Sequence, residues 1–243
     1  MRTMFKQTGL SIFLALGLSS AVFALPDDFM DKLNSPERPA EDKARDDARK
    51  PAETLEVLGI QEGWTVVDVA AGGGWFTRVL SAGVGPEGTV IAQFGERALQ
   101  TNDGQAQRDL AESLGNVEPV FTGMEEIPAN SADAALTALN FHDAYNFRGE
   151  EGAQSFLQGI YNVLKPGGVA AIIDHEGDEG LDNGELHRIP AATAREQIEQ
   201  AGFEIVSESD ILDNPDDDHT LSVRDPSLER ATDQFYFVVR KPD

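Results

Sequence analysis

The chain has 243 residues, of which 43 are acidic and 19 basic, giving a formal net charge of −24, and it has no cysteine. So negative a surface repels nucleic acid and anionic lipid head groups, and neither is expected as a partner. The absence of cysteine excludes a disulfide framework and a lipid-modified cysteine.

In chain order, Arg2 and Lys6 form a basic start, Leu10–Ala21 is an apolar core, and Val22-Phe23-Ala24 fits a small-x-small cleavage site. Residues 1–24 therefore read as a signal peptide cut after Ala24, which predicts a periplasmic or secreted protein with no stable membrane association after cleavage. No twin-arginine pair is present, so export as an unfolded chain is expected. Residues 25–40 are polar, charged and interrupted by Pro36 and Pro39, and read as a flexible leader. One domain is expected over residues 41–243, opening with a helical segment from Pro39 and a second at Ala52–Leu58.

The most informative stretch is Thr65–Thr77, TVVDVAAGGGWFT. A β-branched run ends near Asp68, passes through Gly72, Gly73 and Gly74, and enters an amphipathic segment near Trp75, predicting a buried strand, a tight turn and a helix start. Glycines allow unusual dihedrals and let a ligand approach bare backbone. The free N–H groups and positive dipole end of the helix suit a carboxylate or phosphate, so a nucleotide-like ligand is expected here. Beyond the turn, strand and helix patterns alternate. Strands are predicted at Thr89–Phe94, Val117–Phe121, Ala132–Asn140 and Val169–Asp174. A helical section covers Arg97–Leu114, and a helix over Gly152–Leu164 carries Phe156, Ile160 and Leu164 on one face. Lys165-Pro166-Gly167-Gly168 is expected to stop that helix. A last helix, Ala191–Ala201, precedes strands Glu204–Ser209 and Gln234–Arg240, which are expected to pair antiparallel. Repeated strand–helix units imply a parallel sheet covered on both faces.

Three features carry a family resemblance: the strand–glycine-turn–helix at Asp68–Gly74, the phrase Leu164-Lys165-Pro166-Gly167-Gly168 before an apolar strand, and the closing pair of strands. With them the chain resembles class I S-adenosylmethionine-dependent methyltransferases. Arg49-Lys50-Pro51, Asn140–Asp143, Leu186-His187-Arg188 and Thr232–Phe235 further resemble an exported branch of predicted methyltransferases. The resemblance implies an α/β, Rossmann-like doubly wound fold, with a mostly parallel seven-stranded sheet and a C-terminal antiparallel hairpin. It implies S-adenosylmethionine as cofactor and methyl transfer to a small molecule. Carried over residue by residue, Asp68 lies near the methionine ammonium, Gly72 and Gly74 lie against the methionine and ribose, and Asn140 sits beside the sulfonium. Three positions depart from the family pattern. Ala70 replaces its first glycine. Phe94 falls where an acid normally closes strand 2, leaving Glu96 as the substitute. Gly123 falls where an aspartate holds the adenine amine, leaving Met124 to pack on the ring. Losing such anchors keeps a second reading open, a binding or scaffold module that retains the fold without catalysis. A nicotinamide enzyme on the same fold logic would need a small residue at Thr77 and an acid closing strand 2.

Ligands of this fold class bind beyond the carboxyl ends of the strands, which draws attention to His142, Asp143 and His175 as residues around a methyl acceptor, one histidine serving as base. Arg49 is a candidate for the cofactor carboxylate through its fork of donors, the alternative being exposed pairing with Asp42, Asp46 or Asp47. His187 reads as structural or a rim contact, and His219 as solvated. No metal is expected: no H-E-x-x-H spacing occurs, and adjacent residues at a strand end point apart, so His142 and Asp143 should not converge on one ion.

Overall fold

A computed structural model describes residues 24–243. The predicted signal peptide, Ala24 excepted, lies outside the described residues. Among the described residues no helix is long and apolar enough to cross a membrane.

Seven strands form one sheet in the order β3-β2-β1-β4-β5-β7-β6. They are β1 (Thr65–Val69), β2 (Thr89–Gln93), β3 (Val117–Val120), β4 (Ala132–Ala138), β5 (Leu164–His175), β6 (Glu204–Ser209) and β7 (Gln234–Arg240). The first five run parallel, while β7 is antiparallel to both β5 and β6. The expected doubly wound sheet with its antiparallel closing pair is therefore present. Connections run outward in opposite directions from β1 and β4, and the crevice between their carboxyl ends is where open α/β sheets bind ligands.

Alternation along the strands feeds two cores. Val66, Ala171 and Ile173 pack with α1 (Phe29–Asn34), α4 (Pro51–Leu58) and α5 (Trp75–Val84) on one face. Val67, Ala170 and Ile172 pack with α7 (Phe141–Val163) and α9 (Ala191–Gln200) on the other. Short helices α2 (Ala40–Lys43) and α3 (Asp46–Arg49) lead into α4, α6 (Gln105–Leu114) flanks β3, and α8 (Asn183–Leu186) precedes α9. The buried Tyr236 hydroxyl donates to the Thr54 carbonyl at 2.7 Å, fastening α4 to β7.

Four local expectations are revised. Residues 25–40, read as a flexible leader, carry α1, whose Phe29 and Leu33 are both 2% exposed, because an apolar pair one turn apart gains more from burial than the prolines after it disrupt. The helix over Arg97–Leu114 is cut at residues 102–104, which have left-handed dihedrals, so only α6 is regular. Helix α7 begins at Phe141, eleven residues before the expected start, with a break at Gly149 (φ +65°). Lys165–Gly168 does not stop that helix. The chain turns extended at Leu164, and the four residues form an irregular stretch inside β5, where Gly167 and Gly168 bond to Lys241.

Candidate functional site

Strand β1 delivers Asp68 to the crevice. Its carboxylate is buried, Oδ2 accepts a 2.6 Å hydrogen bond from Thr77 Oγ1 on α5, and burial pushes the group up to about 7. Ala70 takes a left-handed conformation (φ +54°), which costs an alanine roughly 1–2 kcal/mol that a glycine would not bear, and the chain holds it there from outside. The holder is Gln93 at the end of β2, whose Oε1 accepts from Ala70 N at 3.0 Å while Nε2 donates to the Thr122 carbonyl at 2.8 Å. Gln93 thus stands at the strand end where an acid was sought at Phe94, and both ends of its amide are committed to backbone. Sequence reasoning missed it because the strand ends one residue earlier than its apolar pattern suggests.

Ala70, Gly72 and Gly73, together with Asp68, Arg49, Arg45, Leu139 and Asn140, line a cavity of about 200 Å³. A side chain on Gly73 would meet nothing within 4 Å, so the turn is open to an approaching ligand. Gly74 differs. A Cβ there would lie 2.3 Å from Leu110 Cδ2, and its φ is +79°, so this glycine also serves the close contact between α5 and α6. Glu96 is exposed, and Met124 packs against Gly159 of α7; neither lines this cavity. Asn140 does, its Nδ2 donating to the Ala138 carbonyl at 2.7 Å.

Arg49 is not an exposed surface pair. Its guanidinium lies 5.0 Å from the Trp75 ring centre and 5.5 Å from that of Phe76, and burial and neighbouring Arg45 push it down to about 10. The carboxylates expected to hold it are otherwise engaged, Asp42 with Arg78 at 3.0 Å and Asp46 with Arg38 at 2.5 Å. A half-buried cation and a buried carboxyl therefore face one small cavity. That pairing fits the zwitterionic end of S-adenosylmethionine, its carboxylate toward Arg49 and its ammonium toward Asp68. Ligand pockets usually measure about 300–1,000 Å³, so the turn cavity suits the amino-acid end and not the whole cofactor.

A larger cavity of about 650 Å³ adjoins it, sharing Arg45, Arg49 and Leu139. Its walls include His175, Arg224, Arg230 and Thr232. His175 ends β5, its Nδ1 is 2.6 Å from Thr232 Oγ1, and burial pushes it down to about 4, so the ring is neutral near pH 7.

His142 lines neither cavity. Residues 141–143 open helix α7 instead of ending a strand, and this turns two adjacent side chains toward one point. Asp174, fully buried at the end of β5, accepts from His142 N at 2.7 Å and from His175 N at 2.8 Å, and its Oδ1 lies 2.6 Å from His142 Nδ1. Burial works against a charge on His142, but the Asp174 bond and carboxylate outweigh it and raise the ring above its ordinary value. The other ring nitrogen, Nε2, lies 3.1 Å from Asp143 Oδ1, and the same oxygen is 3.0 Å from His187 Nδ1. The objection that His142 and Asp143 diverge does not hold for a helix start. His219, read as solvated, is instead bridged to Asp178 at 3.1 Å and Asp233 at 2.9 Å.

Comparison with known proteins agrees with this geometry. A model of the ubiE/COQ5 methyltransferase family matches residues 46–178. Demethylmenaquinone methyltransferase of Listeria monocytogenes serotype 4a is 29% identical over 125 residues, covering 50% of this chain and 49% of that protein. The ubiquinone/menaquinone biosynthesis C-methyltransferase UbiE of Escherichia fergusonii is 30% identical over 122 residues, covering 50% and 46%. The chain thus spans about half the length of the curated relatives it matches. A SAM-dependent methyltransferase from Aquifex aeolicus superimposes with a TM-score of 0.60 at 21% identity, covering 87% of this chain and 96% of that one. An S-adenosylmethionine-dependent methyltransferase from Mesorhizobium loti gives 0.56 at 15%, covering 79% and 97%. The chain belongs to the ubiE/COQ5 methyltransferase family, with the class I fold and S-adenosylmethionine as its cofactor.

Proposed function

We propose that this protein is an exported enzyme that transfers the methyl group of S-adenosylmethionine to a small anionic molecule. The observation that carries this reading is the adjacency of the two cavities, which share three lining residues. A cofactor whose amino-acid end rests between Arg49 and Asp68 has beside it a second, larger space that shares Arg45, Arg49 and Leu139. Four arginines, Arg45, Arg49, Arg224 and Arg230, line that space, and among the described residues none of them is in an ion pair, in a chain where acids outnumber bases 43 to 19. Four guanidinium groups against two acids on the same walls, Asp225 and Glu229, favour an anionic acceptor, a carboxylate or phosphate. The curated relatives are named for demethylmenaquinone and for ubiquinone and menaquinone biosynthesis; the arginine lining supports a more polar acceptor here.

S-adenosylmethionine supplies an activated methyl group, so the chain's own task is alignment. Asp68 and Arg49 orient the amino-acid end, the Ala70–Gly73 turn passes beneath it, and the arginines steer the acceptor. His175 is neutral and on the acceptor wall; at about 4 it is a weak base, and an anionic acceptor bound beside it would raise it toward the range in which it takes a proton. His175→Ala should lower turnover by about 100-fold or more, in the range that proton transfer contributes, with cofactor affinity changed less than threefold. Steady-state rates beside titration calorimetry would check this, and an equal fall in both would make His175 part of the pocket only.

A non-catalytic binding module is the second reading. It is favoured by Gln93, whose amide is committed to Ala70 and Thr122 at the strand end where the family resemblance implies an acid for the ribose. Calorimetry of the chain from Leu25 onward with S-adenosylmethionine and S-adenosylhomocysteine tests both readings. Micromolar binding supports the enzyme, and no binding at millimolar ligand supports the module.

A further inference from the structure

The cluster of His142, Asp143 and His187 lies outside both cavities and has no part in the methyl-transfer reading. Its geometry poses a charge problem. Asp174 Oδ1 sits 2.6 Å from His142 Nδ1, and a carboxylate there requires that nitrogen to carry the ring proton. In the neutral ring, Nε2 then presents a lone pair, and what it meets at 3.1 Å is another electron-rich atom, Asp143 Oδ1. His187 Nδ1 closes on the same oxygen at 3.0 Å from the opposite chain segment. His187 is held there by a left-handed backbone (φ +56°) and by its neighbour Arg188, which is fully buried. Three donor atoms from two segments thus lie within 4.8 Å of one another.

A positive centre between them resolves the problem. Zinc–nitrogen and zinc–oxygen bonds of about 2.0–2.1 Å in a tetrahedron set neighbouring ligand atoms about 3.3 Å apart, a few tenths from the 3.0 and 3.1 Å found here. Two imidazoles and one carboxylate are a donor set that divalent transition ions prefer over calcium or magnesium. The second shell is also built. A metal-bound histidine normally donates its other N–H to a carboxylate or carbonyl, which fixes the tautomer and the ring; Asp174 provides that acceptor, and it is itself anchored by the backbone N–H groups of His142 and His175. Asp143 is half exposed, so an ion could enter from solvent and keep a coordination position for water.

We propose that His142 Nε2, Asp143 and His187 bind one divalent transition-metal ion of the zinc class, with Asp174 orienting His142, and that the ion pins the start of helix α7 to the His187 segment.

The test uses the folded chain from Leu25 onward, stripped with a chelator and dialysed against zinc or cobalt. One equivalent of zinc per chain is expected, and cobalt should give visible ligand-field bands of a nitrogen–oxygen site. His142→Ala, Asp143→Ala and His187→Ala should each lose the equivalent and the bands. Asp174→Asn should weaken binding about 10- to 100-fold, the usual effect of losing an outer-shell partner. His219→Ala, at the other histidine flanked by carboxylates, should retain both. Circular dichroism of each variant separates loss of the site from loss of the fold, and unfolding of all three alanine variants is replaced by reading His187→Gln and Asp143→Asn. No stoichiometric zinc at micromolar free metal, or binding that survives in His142→Ala but not His219→Ala, would overturn the proposal; the cluster would then be a proton-bridged His–Asp–His contact. Because the readout needs no S-adenosylmethionine, its failure and failure of the methyl-transfer reading are seen separately.

Discussion

Asp68→Asn is expected to weaken S-adenosylmethionine binding by about 10- to 100-fold, the loss of one hydrogen bond to a charged group at about 1.5–3 kcal/mol, and at the same time to make the protein more stable at neutral pH. The two effects share one cause. Burial raises Asp68 from the ordinary 3.8 to about 7, so the folded state resists ionising it. Between those values the native chain holds a proton that the unfolded chain has released, and stability falls as pH rises from about 4 to about 7, then levels off. A shift of roughly three units corresponds to about 4 kcal/mol at most. Asparagine keeps the shape beside Thr77 and has no such slope. The cofactor's ammonium supplies the positive charge that the buried carboxylate lacks, so binding near pH 7 should release part of a proton. Affinity should climb through pH 7 until the ligand's own α-amino group, near 7.7–8.0, deprotonates. Denaturation midpoints from pH 4 to 8, with calorimetry in two buffers of different ionisation enthalpy, would check all of this. A variant with unchanged affinity and an unchanged pH slope would remove Asp68 from the cofactor site.

Arg188→Ala should destabilise the chain by about 3–5 kcal/mol, the range found when one partner of a buried ion pair is removed. Arg188 is wholly buried, and both terminal nitrogens reach Asp217 at 2.9 Å. It also donates to the carbonyls of Glu176 at 2.9 Å and Leu221 at 3.1 Å. Its removal leaves Asp217 charged and unpaired in a dry place. The damage should extend to function, because the segment this pair secures continues into Val223–Arg230, a wall of the larger cavity. For a domain of this size the midpoint should fall by about 6–20 °C. The double variant Arg188→Met, Asp217→Asn removes both charges and should recover much of that loss. Thermal melts of the three proteins would decide it, and a single variant melting within 2 °C of the parent would show that water reaches Asp217.

The strands were legible because residue type and burial act on every residue at once: β7 lies where a run of apolar residues, Phe235–Val239, places it, and Asp68 was found at the end of a β-branched run. What sequence hid was set by distant partners. Nothing near Arg188 announces that it meets Asp217 across 29 residues, and an acidic tract reads as solvated until one of its members is paired inside. Helix α7 was shortened at the sequence level because Gly149 and Gly152 look like breakers, yet Phe141 and Ala144 are buried and hold the first turns against the sheet. That single misplacement changed the chemistry, since a strand end separates His142 from Asp143 whereas a helix start brings them together. Gly74 shows the converse: a motif position read as ligand contact also serves the packing of Leu110.

The strand order has a consequence for how the chain is made. Strand β7 lies between β5 and β6, pairing Ala171 with Val238 on one side and Ser207 with Val238 on the other. Until Gln234–Arg240 have docked, β5 presents an open edge and β6 has no neighbour at all. A chain that has built β1 to β5 must therefore keep an apolar border uncovered until a strand about sixty residues further along closes it. Such an edge is what holdase chaperones recognise and what stray strands pair with. Completion of this sheet rests on one short insertion, apolar only from Phe235 to Val239.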